Sequence, residues 1–156
     1  MPLNKRTLKD GIIYLINNEN KFSVYKNYLE KLEFKRREFK FSTFVKVVVN
    51  QQLSDKASGT IYRRIYSLLD NQVTPGRFLK AKVADLRKCG ISNQKIKNLK
   101  SIATVTNSDP RYFSRFGKEQ ARQCCQKLIS LKGIGPWSAS VITLFYIGHQ
   151  DVLVEG

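Results

Sequence analysis

The chain has 156 residues, and its 28 Lys and Arg side chains outnumber 12 Asp and Glu side chains, which gives a formal net charge of +16. A chain of this length forms one domain or two small lobes with a real core. Such a positive excess favours a partner that carries phosphates and argues against an enzyme of small acids or sugars. No apolar run has transmembrane length and the N-terminal residues lack an export-signal pattern, so we expect no membrane partner.

The spacing of apolar residues predicts helices almost throughout, so the expected fold class is all-α. Ser54, Thr74 and Ser92 are each predicted to cap the helix that follows. The Val-rich residues 42–53 could form a strand, but their flanking pattern favours a buried helix. The predicted helical segments are, in order, 5–17, 21–33, 42–53, 54–69, a short helix from Pro75, one from Ser92, a turn from Asp109-Pro110, 119–128 and 136–147.

Residues 128–142 carry the most informative pattern in the chain. Residues 132–135, Lys-Gly-Ile-Gly, are typical of a tight turn between two helices, and Pro136 fits the first position of the second helix. The N–H groups of such a turn point outwards without partners and provide a binding site for a phosphate. Taken alone, the segment is also compatible with an ordinary helix–turn–helix corner in an all-α protein.

The basic residues are distributed unevenly. Residues 81–127 hold eleven Lys and Arg side chains against three acidic ones, whereas Lys132 is the one basic residue of 128–156. We therefore expect a basic face beside the turn, with the turn itself contacting phosphate mainly through its backbone. The three cysteines, Cys89, Cys124 and Cys125, show no metal-ligand spacing, and His149 is the single histidine.

Three motifs in this order resemble the 3-methyladenine (alkylpurine) DNA glycosylases of the helix-hairpin-helix superfamily. They are Val-Asn-Gln-Gln-Leu-Ser at 49–54, Gly-Ile-Ser-Asn-Gln-Lys at 90–95, and Gly-Ile-Gly-Pro-Trp-Ser-Ala at 133–139 followed by Asp-Val-Leu at 151–153. The resemblance implies a helical bundle with a partial N-terminal helical lobe. It covers roughly residues 41–156, which are expected to form the glycosylase domain, with 1–40 as an N-terminal helical segment.

The resemblance also implies a function. Members of this family hydrolyse the N-glycosidic bond of alkylated purines such as 3-methyladenine, after the base has left the stack. The implied partner is double-stranded DNA with a damaged or abasic site, bound by a monomer in the cytoplasm (at the nucleoid) or in the nucleus, with no required cofactor. The alternative is a non-catalytic helix-hairpin-helix module that only binds DNA.

Site residues follow from the matched positions. Gln52 is expected to fill the gap left by the flipped base, and Trp137 to form an aromatic wall on which a cationic base stacks. Their structural alternatives are a buried helix-capping amide and a core tryptophan. The full expected DNA-binding set is Gln51, Gln52, Lys132, Gly133, Ile134 and Gly135; the base-pocket set is Trp137 and Val141; and the carbonyls of Ile129, Leu131 and Ile134 match a structural Na⁺ or K⁺ site.

The family's catalytic Asp is expected just beyond Gly156. Asp151 matches the start of the preceding loop, and Glu155 matches a variable position. Because that carboxylate stabilises the developing sugar cation, we expect the chain as given, truncated at its C-terminus relative to the family, to bind DNA and to excise bases poorly or not at all. Trp137 stands where the strand-cleaving branch has a nucleophilic Lys, which indicates a monofunctional mechanism.

Overall fold

The computed structural model describes residues 5–33 and 37–154. These residues form helices and no β-strand, so the prediction of an all-α fold is confirmed. The helices are α1 (Lys5–Asn18), α2 (Asn20–Ser23), α3 (Lys26–Leu29), α4 (Phe41–Asn50), α5 (Asp55–Leu68), α6 (Pro75–Lys80), α7 (Val83–Lys88), α8 (Asn93–Ser108), α9 (Tyr112–Phe116), α10 (Ala121–Ile129) and α11 (Pro136–Ile142), followed by a π-helical turn, Thr143–Ile147.

Helix α4 is the centre of the core. All of its residues except Lys46 and Asn50 are buried, and it packs against α5, α8 and α11. The polar residues of α4 lie three or four positions apart on one side of the helix, and the apolar residues cover the rest of its circumference, as expected for a helix that is packed on several sides. Burial of each large apolar side chain contributes about 1.5–3 kcal/mol to folding. The prediction of a buried helix rather than a strand is confirmed.

The three predicted helix caps are present. The hydroxyl groups of Ser54, Thr74 and Ser92 each accept a hydrogen bond from the backbone N–H three residues later. They define the starts of α5, α6 and α8 within one residue of the predicted positions. Each such cap stabilises its helix by about 1 kcal/mol.

The segment before residue 37 departs from the prediction. The expected single helix over 21–33 is wrong, because Tyr25 has φ −98° and ψ 7° and separates the one-turn helices α2 and α3. Hydrogen bonds between residues three apart, such as Tyr25 N–H to the Phe22 carbonyl, wind this segment too tightly for a continuous α-helix. Its apolar side chains consequently stay exposed, with Tyr25 at 59% and Tyr28 at 68%.

Residues 37–40 belong to the larger helical body. The ring of Phe39 lies edge-on to those of Phe44, Phe113 and Phe116, with centroid distances of 5.6, 5.2 and 5.2 Å. Such edge-to-face pairs add about 0.5–1.5 kcal/mol each beyond burial. This aromatic cluster packs the segment 37–40, which precedes α4, against α9.

The C-terminal part of the predicted helix 136–147 changes its winding. After α11 the chain continues as the π-helical turn, in which the N–H of Gly148 donates to the carbonyl of Thr143 at 2.9 Å, five residues back. Gly148 then ends the turn with φ 90°, a conformation that glycine adopts without penalty. The wider turn brings Tyr146 onto the side of the molecule where α4 ends.

The thiols differ in accessibility. Cys89 and Cys124 are buried, while Cys125 is half-buried and donates to the hydroxyl of Thr143. Burial raises the pKa of Cys124 to about 11, and its Sγ lies 3.4 Å from Nε2 of His149.

Within residues 5–33 and 37–154, no group of three His, Cys, Asp or Glu side chains could hold a metal ion. No helix of this part of the chain has the length and apolarity needed to cross a membrane.

We expect iodoacetamide to modify Cys125 well before Cys124 or Cys89 in the native protein at pH 8. A thiol with a pKa of about 11 carries almost no thiolate at that pH, and the thiolate is the nucleophile. Peptide mass spectrometry of timed samples measures the three rates. A Cys125→Ser variant serves as control and should take up almost no label until urea unfolds it; rapid native labelling of Cys124 contradicts this expectation.

Candidate nucleic-acid interface

A turn between α10 and α11 presents free backbone amides at the surface. The amides of Lys132, Gly133 and Gly135 donate to no atom of the described residues. Ile134, which is 3% exposed, anchors the turn in the core. Its amide donates to the carbonyl of Leu131 at 3.1 Å, so this hydrogen bond of the turn occupies a group that the sequence assigned to phosphate. Three unpaired amides remain for an anion.

The two glycines of the turn have different requirements. Gly133 has φ +86°, and a Cβ added there would lie 2.2 Å from Nδ2 of Asn98, a side chain of α8. Gly135 has extended backbone, with φ −85° and ψ 175°, and a Cβ added there would meet nothing within 4 Å. Gly133 is therefore required by the fold, whereas Gly135 leaves open space in which another molecule can approach the backbone.

Gln51 and Gln52 form the start of the link from α4 to α5, and they take different roles. Gln51 Nε2 donates to the carbonyl of Gly133 at 2.9 Å and lies 3.2 Å from Oγ of Ser138. Gln52 has left-handed backbone, φ 59°, and is exposed. The side chain of Gln52 is therefore exposed and is not a buried capping amide, while that of Gln51 is hydrogen-bonded to the turn.

Lys95, a residue of α8, caps the C-terminal end of α4. Its Nζ donates to the carbonyls of Val49 and Gln51 at 3.1 and 2.7 Å. Partial burial lowers the pKa of this ammonium group below its ordinary value. A cation at the C-terminus of a helix also interacts favourably with the helix dipole.

A cleft of about 230 Å³ lies between α4, α5 and α11. It is smaller than the roughly 300–1,000 Å³ of clefts that hold drug-sized ligands, and its size suits a single heteroaromatic base. Both expected pocket residues, Trp137 and Val141, line it. The other lining residues are Arg37, Lys46, Val47, Asn50, Ser58, Gly59, Tyr62 and Tyr146.

Two of the aromatic rings of this cleft already carry cations. Lys46 Nζ lies 5.0 Å from the ring centroid of Tyr62, and the Arg37 guanidinium lies 5.7 Å from that of Tyr146. Trp137 is 47% exposed and, among the described residues, has no cation over its ring. Its indole face is therefore available for stacking, and Trp137 is not a core tryptophan.

Part of the basic excess of residues 81–127 serves the fold. Lys100, like Lys95, donates to backbone carbonyls, at 3.0 Å to Leu79 and 2.9 Å to Ala81. Ion pairs neutralise three more of these cations: Lys88 with Asp85, Arg115 with Asp109, and Lys127 with Glu119. The expected basic face is therefore smaller than the sequence count indicates. Arg87 donates to the carbonyl of Ile91. The other five have no acidic partner and no carbonyl partner among the described residues: Lys82, Lys97, Arg111, Lys118 and Arg122.

The expected cation site and carboxylates have the following positions. The carbonyl of Leu131 accepts the Ile134 amide, while those of Ile129 and Ile134 accept no hydrogen bond from the described residues. Asp151 is exposed and does not line the cleft, and within the described residues no carboxylate does. Glu155 and Gly156, with the position expected to follow them, lie outside the described residues.

Sequence patterns did not reveal the polar side of the cleft. Arg37 and Tyr146 are 109 positions apart, yet Arg37 Nη1 lies 3.4 Å from the Tyr146 hydroxyl. Lys46 is the exposed residue of an otherwise buried stretch of α4. Such an isolated charge inside an apolar run is the one signal that could have pointed to the cleft.

Comparison with known proteins found a matching family and similar proteins of two yeasts. A model described as "HhH-GPD superfamily base excision DNA repair protein" matches residues 45–153. DNA-3-methyladenine glycosylase 1 of Schizosaccharomyces pombe is 29% identical over 133 residues, 81% of this chain and 57% of that protein. DNA-3-methyladenine glycosylase of Saccharomyces cerevisiae is 28% identical over 154 residues, 92% of this chain and 51% of that protein.

A solved structure extends the comparison to three dimensions. The S. pombe 3-methyladenine DNA glycosylase in complex with abasic DNA superimposes with a TM-score of 0.76 at 25% identity, over 92% of this chain and 73% of that one. The chain spans about half the length of the curated relatives it matches.

Replacing each turn glycine by alanine should separate their roles. Gly133→Ala puts a side chain at positive φ, at about 1–2 kcal/mol, and against Asn98, so we expect a lower free energy of unfolding and a clear fall in Tm. Gly135→Ala should leave stability unchanged or raise it by about 0.4–1 kcal/mol, since alanine adopts this backbone freely. Urea denaturation followed by circular dichroism measures both; equal losses in the two variants contradict the assigned difference.

Proposed function

The chain belongs to the HhH-GPD superfamily of base excision DNA repair proteins, and from this premise we propose that it is the DNA-binding and base-recognition part of a monofunctional alkylpurine DNA glycosylase. Its DNA substrate carries a damaged purine, such as 3-methyladenine, and its DNA product carries the abasic site left after excision. The names of the two yeast relatives support this substrate class.

One observation carries the proposal: free turn amides, an exposed Gln52 and a base-sized cleft adjoin one another. The Gln51 side chain bonds to Gly133, which places the following residue, Gln52, beside the turn. Trp137 is in the first turn of α11 and lines the cleft. A duplex whose phosphate lies on the turn can therefore present a flipped base to the cleft and the resulting gap to Gln52.

Each part has a physical task on the DNA. The amides of Lys132, Gly133 and Gly135 donate to a phosphate, and the Lys132 side chain adds charge at the same place. Gln52, which is polar and unbranched, occupies the vacated space and hydrogen-bonds the orphaned partner base, which offsets part of the unstacking energy. An alkylated purine carrying positive charge stacks on the free indole face of Trp137.

The residues of the cleft favour a hydrolytic reaction without a covalent intermediate. Among the residues that the structure describes, no lysine other than Lys46 lines it, and the ammonium of Lys46 is held over the Tyr62 ring. The position after the turn proline is Trp137, which cannot form a Schiff base. The cleft also favours a glycosylase over a DNA-binding module that does no chemistry, because such a module has no use for a base-sized cavity.

Assignments of domain bounds, oligomeric state, location and cation binding also belong to this proposal. The DNA-binding domain begins at residue 37 instead of 41, since Arg37 and Phe39 contact the helical body, and residues 5–33 form a separate helical segment. The protein acts as a monomer, at the nucleoid of the cytoplasm or in the nucleus. The carbonyls of Ile129, Leu131 and Ile134 hold Na⁺ or K⁺, which stiffens the turn, and no other cofactor is required.

The test of DNA recognition is a comparison of two duplexes. We expect the protein to bind a duplex with a tetrahydrofuran abasic analogue more tightly than the same intact duplex, measured by fluorescence anisotropy at fixed salt. Gln52→Ala should reduce this preference by about two- to tenfold, the value of one net hydrogen bond, while affinity for the intact duplex stays within twofold. Absence of any affinity for DNA in the wild-type chain would falsify the proposal.

A second measurement concerns the chemical step. Because no carboxylate of the described residues lines the cleft, the 156-residue polypeptide should release 3-methyladenine from alkylated DNA far more slowly than the S. pombe glycosylase under single-turnover conditions. Loss of one preorganised electrostatic group typically lowers such a rate about 10²–10³-fold. Borohydride treatment should trap no protein–DNA adduct. Rates equal to those of the S. pombe enzyme contradict the first expectation, and a trapped adduct contradicts the second.

A further inference from the structure

A continuous set of hydrogen bonds connects α8 with the turn through the end of α4. Lys95 Nζ donates to the carbonyl of Gln51 at 2.7 Å, and the side chain of the same Gln51 donates to the carbonyl of Gly133 at 2.9 Å. Gln51 therefore has its backbone fixed from one side by α8 and its side chain fixed to the turn on the other. Asn98, one helical turn after Lys95, lies against Gly133, so α8 supports both ends of this connection.

The link that carries Gln52 has few other restraints. Between α4 and the cap Ser54, the one backbone hydrogen bond of the link joins the N–H of Leu53 to the carbonyl of Asn50. Gln52, Leu53 and Ser54 are all exposed. Leu53 is 40% exposed and lines a small cavity with Val49 and Ile61, so it has some packing contacts, whereas Gln52 lines no such cavity. Moreover, Gln52 has φ 59°, which a non-glycine residue adopts at a cost. The position of its side chain relative to the turn depends on what holds Gln51.

We propose that Gln51 and Lys95 are positioning residues that fix Gln52 at a set distance from the free amides of the turn. The turn can then bind a phosphate while Gln52 fills the gap in the same duplex. Gln51 and Lys95 therefore determine the preference for abasic over intact DNA. This inference rests on the proposed function, and it changes the role of Gln51 from a DNA contact to a residue that acts through Gln52.

The chemistry of both side chains suits this task. Gln51 uses its amide N–H₂ as donor to a carbonyl and a hydroxyl, which an apolar or acidic replacement cannot do. Lys95 offers an ammonium group to two carbonyls at the end of a helix, where the carbonyls lack intrahelical partners. Both hydrogen-bond sets are made to groups within the protein, so neither residue needs to touch the duplex.

The same helix contains a matched control. Lys100 of α8 also donates its ammonium group to two backbone carbonyls, those of Leu79 and Ala81 at the end of α6. It is half-buried, as Lys95 is, but it closes a helix that contributes nothing to the turn or to the link with Gln52. Lys100→Met should lower the free energy of unfolding about as much as Lys95→Met does. It should not change the distance between Gln52 and the turn.

The experiment measures the ratio of two affinities, for the tetrahydrofuran duplex and for the intact duplex, in Gln51→Met, Lys95→Met and Lys100→Met. We expect the ratio to fall by about two- to tenfold in the first two variants, the loss of one net hydrogen bond, and to remain at the wild-type value in Lys100→Met. Thermal denaturation establishes that each variant is folded at the assay temperature. Should Lys95→Met fail to fold, Gln51→Met, altered at a half-exposed side chain, decides the outcome.

A double-variant cycle distinguishes positioning from general stabilisation. In a Gln52→Ala background, Gln51→Met should lower the ratio no further, since the side chain to be positioned is already absent. An unchanged ratio in Gln51→Met, equal falls in Lys95→Met and Lys100→Met, or full additivity with Gln52→Ala each overturns the inference. A wild-type protein that binds DNA without preferring the abasic duplex overturns the proposed function instead, so the two failures are distinguishable.

Discussion

The hydrogen bond from the Gln51 side chain to the carbonyl of Gly133 joins two segments that lie 82 positions apart. It joins the end of the buried helix α4 to the turn whose amides at Lys132, Gly133 and Gly135 donate to no atom of the described residues. Everything proposed for the molecule lies around this contact: the anion site on one side, the projecting Gln52 on the other, and the cleft under Trp137 between them. The positive φ of Gly133 belongs to the same arrangement, since that conformation orients the accepting carbonyl and leaves room for Asn98.

The net charge of the chain is divided between two tasks. Lys95 and Lys100 direct their ammonium groups to backbone carbonyls, and Arg87 donates to the carbonyl of Ile91. These groups stabilise helix ends and contribute to the long-range field more than to direct contacts. The remaining unpaired cations supply the attraction for phosphates, an interaction that weakens as salt concentration rises. The count of basic residues therefore overestimates the number of cations that are available on the surface to contact phosphates.

Local patterns in the sequence were sufficient for the helices that carry caps or a strong apolar spacing. Ser54, Thr74 and Ser92 predicted helix starts because capping is a property of a few neighbouring residues. Short α7 was missed, since Lys82 before it has no side-chain cap, and residues 21–33 were misjudged because apolar spacing alone cannot show whether a partner surface exists.

The candidate site was predictable where a motif defines it, and elsewhere it was not. Glycine spacing and Pro136 indicated the turn, and Trp137 and Val141 indicated one wall of the cleft. Arg37, Lys46 and Tyr62 come from other parts of the chain, and only the packing of α4 and α5 brings them to the same cleft. The occupied amide of Ile134 and the inward direction of Gln51 also depend on hydrogen bonds that no local pattern encodes.

The π-helical turn after α11 makes the C-terminal part of the chain sensitive to length. It contains more residues per turn than an α-helix, which has 3.6, so deletion of one residue between Thr143 and Ile147 would restore ordinary winding. Every later residue would then rotate by about 100° around the helix axis. Tyr146 would leave its neighbour Arg37, and the chain beyond Gly148 would depart in another direction. A deletion here is therefore expected to disturb the cleft and the direction of the following chain, because it changes the winding of the backbone.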